Sequence, residues 1–144
     1  MEAFRHILVP TDFGPSSRLA VDYAVELAER YGATLTLLHV QPLPPAYGDG
    51  IYWPYEQIAK EADAALRPAV AELKKRHADT HGLLASGVVW DQILALAKDR
   101  GVDLVVMGTH GRHGLPRAVL GSVAEKVVRL SPVPVLTVHA SEPR

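Results

Sequence analysis

The residues best suited to bind a ligand are glycines between an apolar run and a segment with helical periodicity. Gly108 and Gly111 stand three positions apart, and Gly121-Ser122 follows after nine further residues. Glycine lets backbone N–H groups approach an anion closely, and a helix N-terminus adds unpaired donors and about half a positive charge. The spacing therefore predicts a site for a phosphate-bearing ligand.

Each of these residues also has an ordinary structural interpretation. Gly108 and Gly111 can adopt positive φ in a turn, and Ser122 has the capping-box spacing to Glu125. What favours a ligand site is that the whole spacing starts at the end of a buried strand, where open α/β sheets bind their ligands. Basic side chains of the same stretch, which suit either phosphate contact or a solvated loop, are Arg112, His113 and Arg117.

Five apolar runs alternate with helical segments, and these are the elements that must position the glycines. Strands are predicted over residues 4–9, 34–40, 82–86, 104–107 and 135–138. Helices are predicted between Pro15 and Gly32, over residues 57–76 with a kink or division at Pro68, around Ile93 up to Gly101, and over residues 123–130. Residues 41–54 read as a long loop, whose Tyr47, Tyr52 and Trp53 suit either a binding surface or packing on the domain.

Such alternation requires right-handed crossovers and a parallel sheet covered by helices on both faces. The sequence therefore predicts a doubly wound α/β fold with five strands. Residues 1–144 contain no internal repeat or linker, so we expect a single domain.

Composition argues against several classes of protein. There are no cysteines, which excludes disulfides and thiolate zinc sites, and the formal net charge of −1 argues against a nucleic acid partner. No apolar run approaches the roughly 20 residues that span a bilayer, and the N-terminus lacks a signal pattern. We therefore expect a cytoplasmic protein without a membrane partner.

The motifs of common nucleotide-binding enzymes and hydrolases are absent. The sequence has no P-loop, no Gly-x-Gly-x-x-Gly after the first strand and no Gly-x-Ser-x-Gly. Asp12 and His110 are the only candidates for a general base, and Asp12 can equally make a local turn or cap hydrogen bond. His77 and His81 are four apart but have no evident third ligand, so no protein metal site is predicted.

The glycine spacing resembles the ATP-binding motif of the universal stress protein family. Residues 7–12, Ile-Leu-Val-Pro-Thr-Asp, are similar to the first strand and turn of that family. Residues 37–40 resemble its second strand and residues 132–136 its last strand. The similarity covers nearly the whole chain.

This resemblance implies a sheet of order 3-2-1-4-5, with adenosine between the ends of the first and fourth strands. It also implies ATP as the ligand, with Mg²⁺ or Mn²⁺ bound through the phosphates. The residues that the resemblance places at the nucleoside are Pro10, Thr11, Asp12, Val40, Met107 and Gly108, and those at the phosphates are His110, Gly111, Gly121, Ser122 and Val123.

The implied function is that of a nucleotide-dependent regulator acting on an unknown protein partner. A weak ATP hydrolase or nucleotidyl-transfer enzyme on the same fold is the alternative, and a third is an interaction protein without nucleotide, against which the intact motif argues. Pro132 and Pro134 suit an edge strand at Val135–Val138, whose apolar edge needs covering. The resemblance implies a homodimer through this strand.

Overall fold

The computed structural model describes residues 3–41, 54–110 and 120–140, and strands and helices alternate along them. The predicted order of elements is confirmed. The strands are β1 His6–Pro10, β2 Thr34–Gln41, β3 Thr80–Ser86, β4 Leu104–Gly108 and β5 Val135–Val138. The helices are α1 Pro15–Tyr31, α2 Tyr55–Arg76, α3 Val89–Asp99 and α4 Ser122–Leu130.

All five strands are parallel and lie in the order β3-β2-β1-β4-β5, as predicted. Ile7 in the central strand faces Leu35 of β2 on one side and Leu104 of β4 on the other. The chain winds outward from β1 in one direction and then from β4 in the other, so the connections after these two strands diverge. This divergence opens a crevice at the carboxyl edge of the sheet.

Helices cover both faces of the sheet, which explains why the strands read as continuous apolar runs. On one face α1 and α2 pack over Ile7, Val9 and Leu37. On the other face α3 and α4 pack over Leu8, Leu38 and other strand residues. α1 lies close to the sheet because its buried stripe consists largely of alanines, namely Ala20, Ala24 and Ala28.

α2 runs without interruption through Pro68, so the predicted division of this helix is wrong. Proline has no N–H, and the carbonyl of Ala64, four residues earlier, therefore loses its helical donor. Both residues are exposed, so water can satisfy that carbonyl. Among the described residues, no helix is long and apolar enough to cross a membrane.

Candidate functional site

A cavity of about 380 Å³ lies at the carboxyl edge of the sheet, where the connections after β1 and β4 diverge. Every predicted site residue that the structure describes lines it. These residues are Pro10, Thr11, Asp12, Val40, Met107, Gly108, His110, Gly121, Ser122 and Val123. Gly111, Arg112, His113 and Arg117 lie outside the described residues, as do Tyr47, Tyr52 and Trp53 of the predicted long loop.

The cavity has further lining residues that the sequence analysis did not select. Thr109 stands inside the glycine motif and could have been chosen from its position alone. Val89 and Ile93 are one helical turn apart on α3, and their periodicity indicated burial without indicating a ligand. The full set of additional lining residues is Ser17, His39, Val89, Ile93, Thr109 and Ala124.

Two kinds of group line the cavity. Side chains from β2, α3 and β4 are apolar, including Val40, Ile93 and Met107. The end of β4 and the first residues of α4 also line it, and Gly121 precedes Ser122 there. A helix N-terminus presents unpaired N–H groups, so the start of α4 favours an anion.

The loop after β1 holds Asp12 in a tight turn. Asp12 Oδ1 accepts hydrogen bonds from the Gly14 backbone N at 2.8 Å and from Ser17 Oγ at 2.7 Å. Phe13 has φ of 64°, a left-handed conformation that is uncommon outside glycine, and its N donates to Thr11 Oγ1 at 2.9 Å. Asp12 thus makes the local turn contacts and also lines the cavity.

His39 on β2 contacts the same loop, although it lies 28 residues away from Thr11 in the sequence. Its Nδ1 lies 2.8 Å from the Thr11 carbonyl oxygen, which can only accept, so Nδ1 carries the hydrogen. The His39 ring also packs on Phe13, with ring centroids 4.8 Å apart. His39 therefore has a structural contact in addition to its place in the cavity wall.

Thr109 connects the ends of β4 and β5 with the start of α4. Its N donates to Val138 O at 3.1 Å, and its carbonyl oxygen accepts from Gly121 N at 2.7 Å. Its Oγ1 lies 3.0 Å from Nδ1 of both His110 and His139. Thr109, with only 1% of its surface exposed, thus holds the start of α4 against the end of β4 beside the cavity.

Close contacts, not positive φ, explain the glycines at positions 108 and 121. A Cβ on Gly121 would lie 2.6 Å from the Thr109 carbonyl oxygen, and one on Gly108 would lie 2.7 Å from Ser16 Oγ. The described glycines with positive φ are Gly32, Gly87 and Gly101, so the turn interpretation of Gly108 is wrong.

The capping-box interpretation of Ser122 is also wrong. Gly121 is the N-cap of α4, and its carbonyl accepts from Glu125 N at 2.9 Å. Ser122 is the first residue inside the helix, and its side chain is exposed. Its hydroxyl makes no hydrogen bond to another described residue, so it is available to a ligand.

His6 and His77 have structural contacts away from the cavity. His6 Nε2 lies 2.8 Å from Thr36 Oγ1, and His77 Nε2 lies 2.6 Å from the Ala33 carbonyl oxygen. The described residues contain no cluster of three metal-ligating side chains. Hydrogen bonds from Thr34 and then from His81 lower the pKa of Asp79, which is exposed.

The geometry defines a doubly wound α/β protein with a ligand-sized cavity where its sheet connections diverge. Comparison with known sequences then identifies the family. Residues 3–139 match the model of the universal stress protein family, and the chain belongs to this family.

Two relatives illustrate the similarity in sequence. Universal stress protein A homolog 1 of Coxiella burnetii is 36% identical over an alignment 145 residues long, and the alignment covers 96% of this chain and 99% of the relative. Universal stress protein YxiE of Bacillus subtilis is 34% identical over an alignment 147 residues long, which covers 94% of this chain and 99% of the relative. The relatives are thus matched over nearly their whole length.

Solved structures agree with this assignment. UspA from Lactobacillus plantarum superposes with a TM-score of 0.80 at 26% identity, covering 96% of this chain and 99% of that one. A universal stress protein solved in complex with cAMP gives a TM-score of 0.76 at 29% identity, covering 97% and 100%.

Proposed function

We propose that this protein is an ATP-binding regulatory module, with Mg²⁺ or Mn²⁺ carried on the phosphates. The observation that carries the proposal is one cavity that is lined both by apolar side chains and by a helix N-terminus. An apolar slot suits a nucleobase, and unpaired backbone donors suit phosphate oxygens. A nucleotide is a ligand that needs both.

Asp12 sets the orientation of the proposed nucleotide. An ionised carboxylate only accepts hydrogen bonds, so it suits ribose hydroxyls or a base amino group and repels phosphate. The phosphates then belong near Gly121 and Ser122, where backbone donors and the Ser122 hydroxyl stand. The relative solved with cAMP supports a nucleotide ligand for this cavity.

The described residues fit a divalent ion that arrives with its nucleotide. Among the described residues that line the cavity, Asp12 is the only carboxylate, and it lies on the β1 loop. No cluster of three metal-ligating side chains is present in the described part of the chain. The ion would therefore take most of its ligands from phosphate oxygens and water, and it would supply charge neutralisation.

Thermal unfolding with and without Mg-ATP tests the proposal. Ligand at 100 times its dissociation constant stabilises the native state by about 2.7 kcal/mol, which gives a clear rise in Tm. The same measurement with ADP, AMP and cAMP shows which number and form of phosphates binds most tightly.

A charge substitution at the start of α4 tests the site itself. Ser122→Glu places a carboxylate where we propose phosphate, while a negative charge in the first turn favours the helix. We expect at least tenfold weaker ATP binding, by charge repulsion, without loss of stability in the nucleotide-free protein. Ala95→Glu is the matched control, because Ala95 is exposed on α3 and does not line the cavity. Unchanged ATP affinity in Ser122→Glu would contradict the proposed site.

We also propose that the protein forms a homodimer through β5. This strand lies at one edge of the sheet, and Leu136 on it is 38% exposed. An uncovered edge strand exposes unpaired backbone groups, which a second copy would pair. Sedimentation equilibrium at micromolar protein should give the dimer mass, and a monomer mass would contradict this part of the proposal.

The weak-hydrolase alternative makes a separate prediction. Asp12 Oδ1 already accepts two hydrogen bonds from the turn, which makes the carboxylate a better anchor than a mobile base. We therefore expect tight binding with little turnover. Phosphate release that is fast and abolished by Asp12→Asn would favour the enzyme instead.

A further inference from the structure

Two adjacent serines in the first turn of α1 differ in one respect. Ser16 and Ser17 are each 7% exposed. Ser17 Oγ lies 2.7 Å from Asp12 Oδ1 and 3.2 Å from Asp12 N, whereas Ser16 Oγ has no hydrogen-bond partner among the described residues. Buried hydroxyls are normally hydrogen-bonded, so the two positions make a natural contrast.

The two hydrogen bonds of Ser17 converge on a single residue. Its hydroxyl hydrogen is donated to the Asp12 carboxylate, and its lone pair accepts the Asp12 backbone N–H. Gly14 N donates to the same carboxylate oxygen at 2.8 Å. Oδ1 is thus occupied by two protein donors, and Oδ2 has no hydrogen-bond partner among the described residues.

We infer that Ser17 is a positioning residue for nucleoside recognition by Asp12, an inference that rests on the proposed function. A carboxyl group turns about its terminal bond with little restraint unless its oxygens are held. Ser17 and Gly14 together hold Oδ1 toward the turn. Oδ2 is then the oxygen left to accept a hydrogen bond from the ribose or the base.

The location of Ser17 supports this role. It lines the same cavity as Asp12, and it belongs to a helix whose packing against the sheet fixes its position. Gly14 cannot replace it, because a single backbone donor leaves the carboxylate free to pivot about that one contact. Hydrogen bonds to charged groups are also the stronger ones, so the loss of the Ser17 hydroxyl should matter.

Ser17→Ala is the test variant, and Ser16→Ala is its matched control. Ser17→Ala should weaken ATP, AMP and adenosine by the same factor, about three- to tenfold, the usual size of one hydrogen-bond effect. Inorganic tripolyphosphate, which lacks a nucleoside, should bind both variants as it binds the parent. Ser16→Ala should leave the affinity for every ligand unchanged, since its hydroxyl has no partner.

A double-mutant cycle separates positioning from a general weakening of the loop. In an Asp12→Ala background, Ser17→Ala should cause no further loss of AMP affinity, because Ser17 acts through Asp12. Additive losses would overturn the inference, as would unchanged AMP affinity in Ser17→Ala or an equal loss for tripolyphosphate. If the parent protein binds no adenine nucleotide, that result contradicts the proposed function itself. The inference about Ser17 is judged separately, from the affinities of the variants relative to the parent.

Discussion

Substituting Gly121 by alanine should destabilise the protein even when no nucleotide is present. The added Cβ would lie 2.6 Å from the Thr109 carbonyl oxygen and 3.4 Å from His110 Cα. Both neighbours are backbone atoms, and Thr109 is held by Val138 on its N–H side, so it cannot move away freely. The clash therefore also strains the 2.7 Å bond from Gly121 N to Thr109 O.

The size of the effect follows from these contacts. Overpacking costs about 1–3 kcal/mol, and a weakened hydrogen bond adds about 1 kcal/mol. Alanine restricts the unfolded chain and recovers about 0.4–1 kcal/mol. The free energy of unfolding should fall by about 1–3.6 kcal/mol, which lowers Tm by roughly 3–12 °C for a chain of this length.

Circular dichroism during heating of nucleotide-free protein measures this change, with Ser122→Ala as the neighbouring control. Ser122 is exposed and its side chain makes no cap hydrogen bond. Ser122→Ala should therefore change Tm little. If Gly121→Ala were as stable as the parent, the contact with Thr109 would not be a constraint, and Gly121 would be needed only for ligand binding.

Three further predictions concern other parts of the fold. Pro68→Ala should raise the free energy of unfolding by about 1–3 kcal/mol, because it restores an N–H inside α2, and denaturant titration measures this. Asp79→Asn should lower stability slightly at neutral pH. Hydrogen bonds from Thr34 and His81 lower the pKa of Asp79 in the folded state. The stabilisation from these bonds is therefore present above the unfolded-state pKa of Asp79, and it is lost as the pH falls through the folded-state pKa. Parent and variant should thus converge in strongly acidic solution when their Tm values are compared across pH. Leu136→Lys should weaken the proposed dimer, seen as a lower sedimentation mass, while the Tm of the monomer changes little because Leu136 is 38% exposed.

The sequence predicted the fold well because the evidence for it is local and repeated. Apolar runs that alternate with helical periodicity indicate a parallel sheet, and the family resemblance supplied its order. The glycine motif predicted which residues come together at the cavity for a related reason, since it joins a strand end to a helix start within one stretch of chain. Even so, the resemblance alone could not show that Gly121 is required by Thr109.

The contacts that the sequence could not reveal join residues that are far apart in the chain. The bond from His39 to Thr11 depends on how β2 and β1 align, and the contact between Thr109 and His139 depends on β5. Pro68 was predicted to kink or divide α2, and the helix is not divided. The carbonyl that loses its donor belongs to an exposed residue, and this exposure is known only from the folded structure.

A crystal structure grown with saturating Mg-ATP tests the central claim most directly. We predict the base against the apolar side chains of the cavity, the ribose or base within hydrogen-bonding distance of Asp12, and the phosphates at the backbone N–H groups of Gly121 and Ser122. An empty cavity, or a nucleotide bound with its phosphates beside Asp12, would contradict the account.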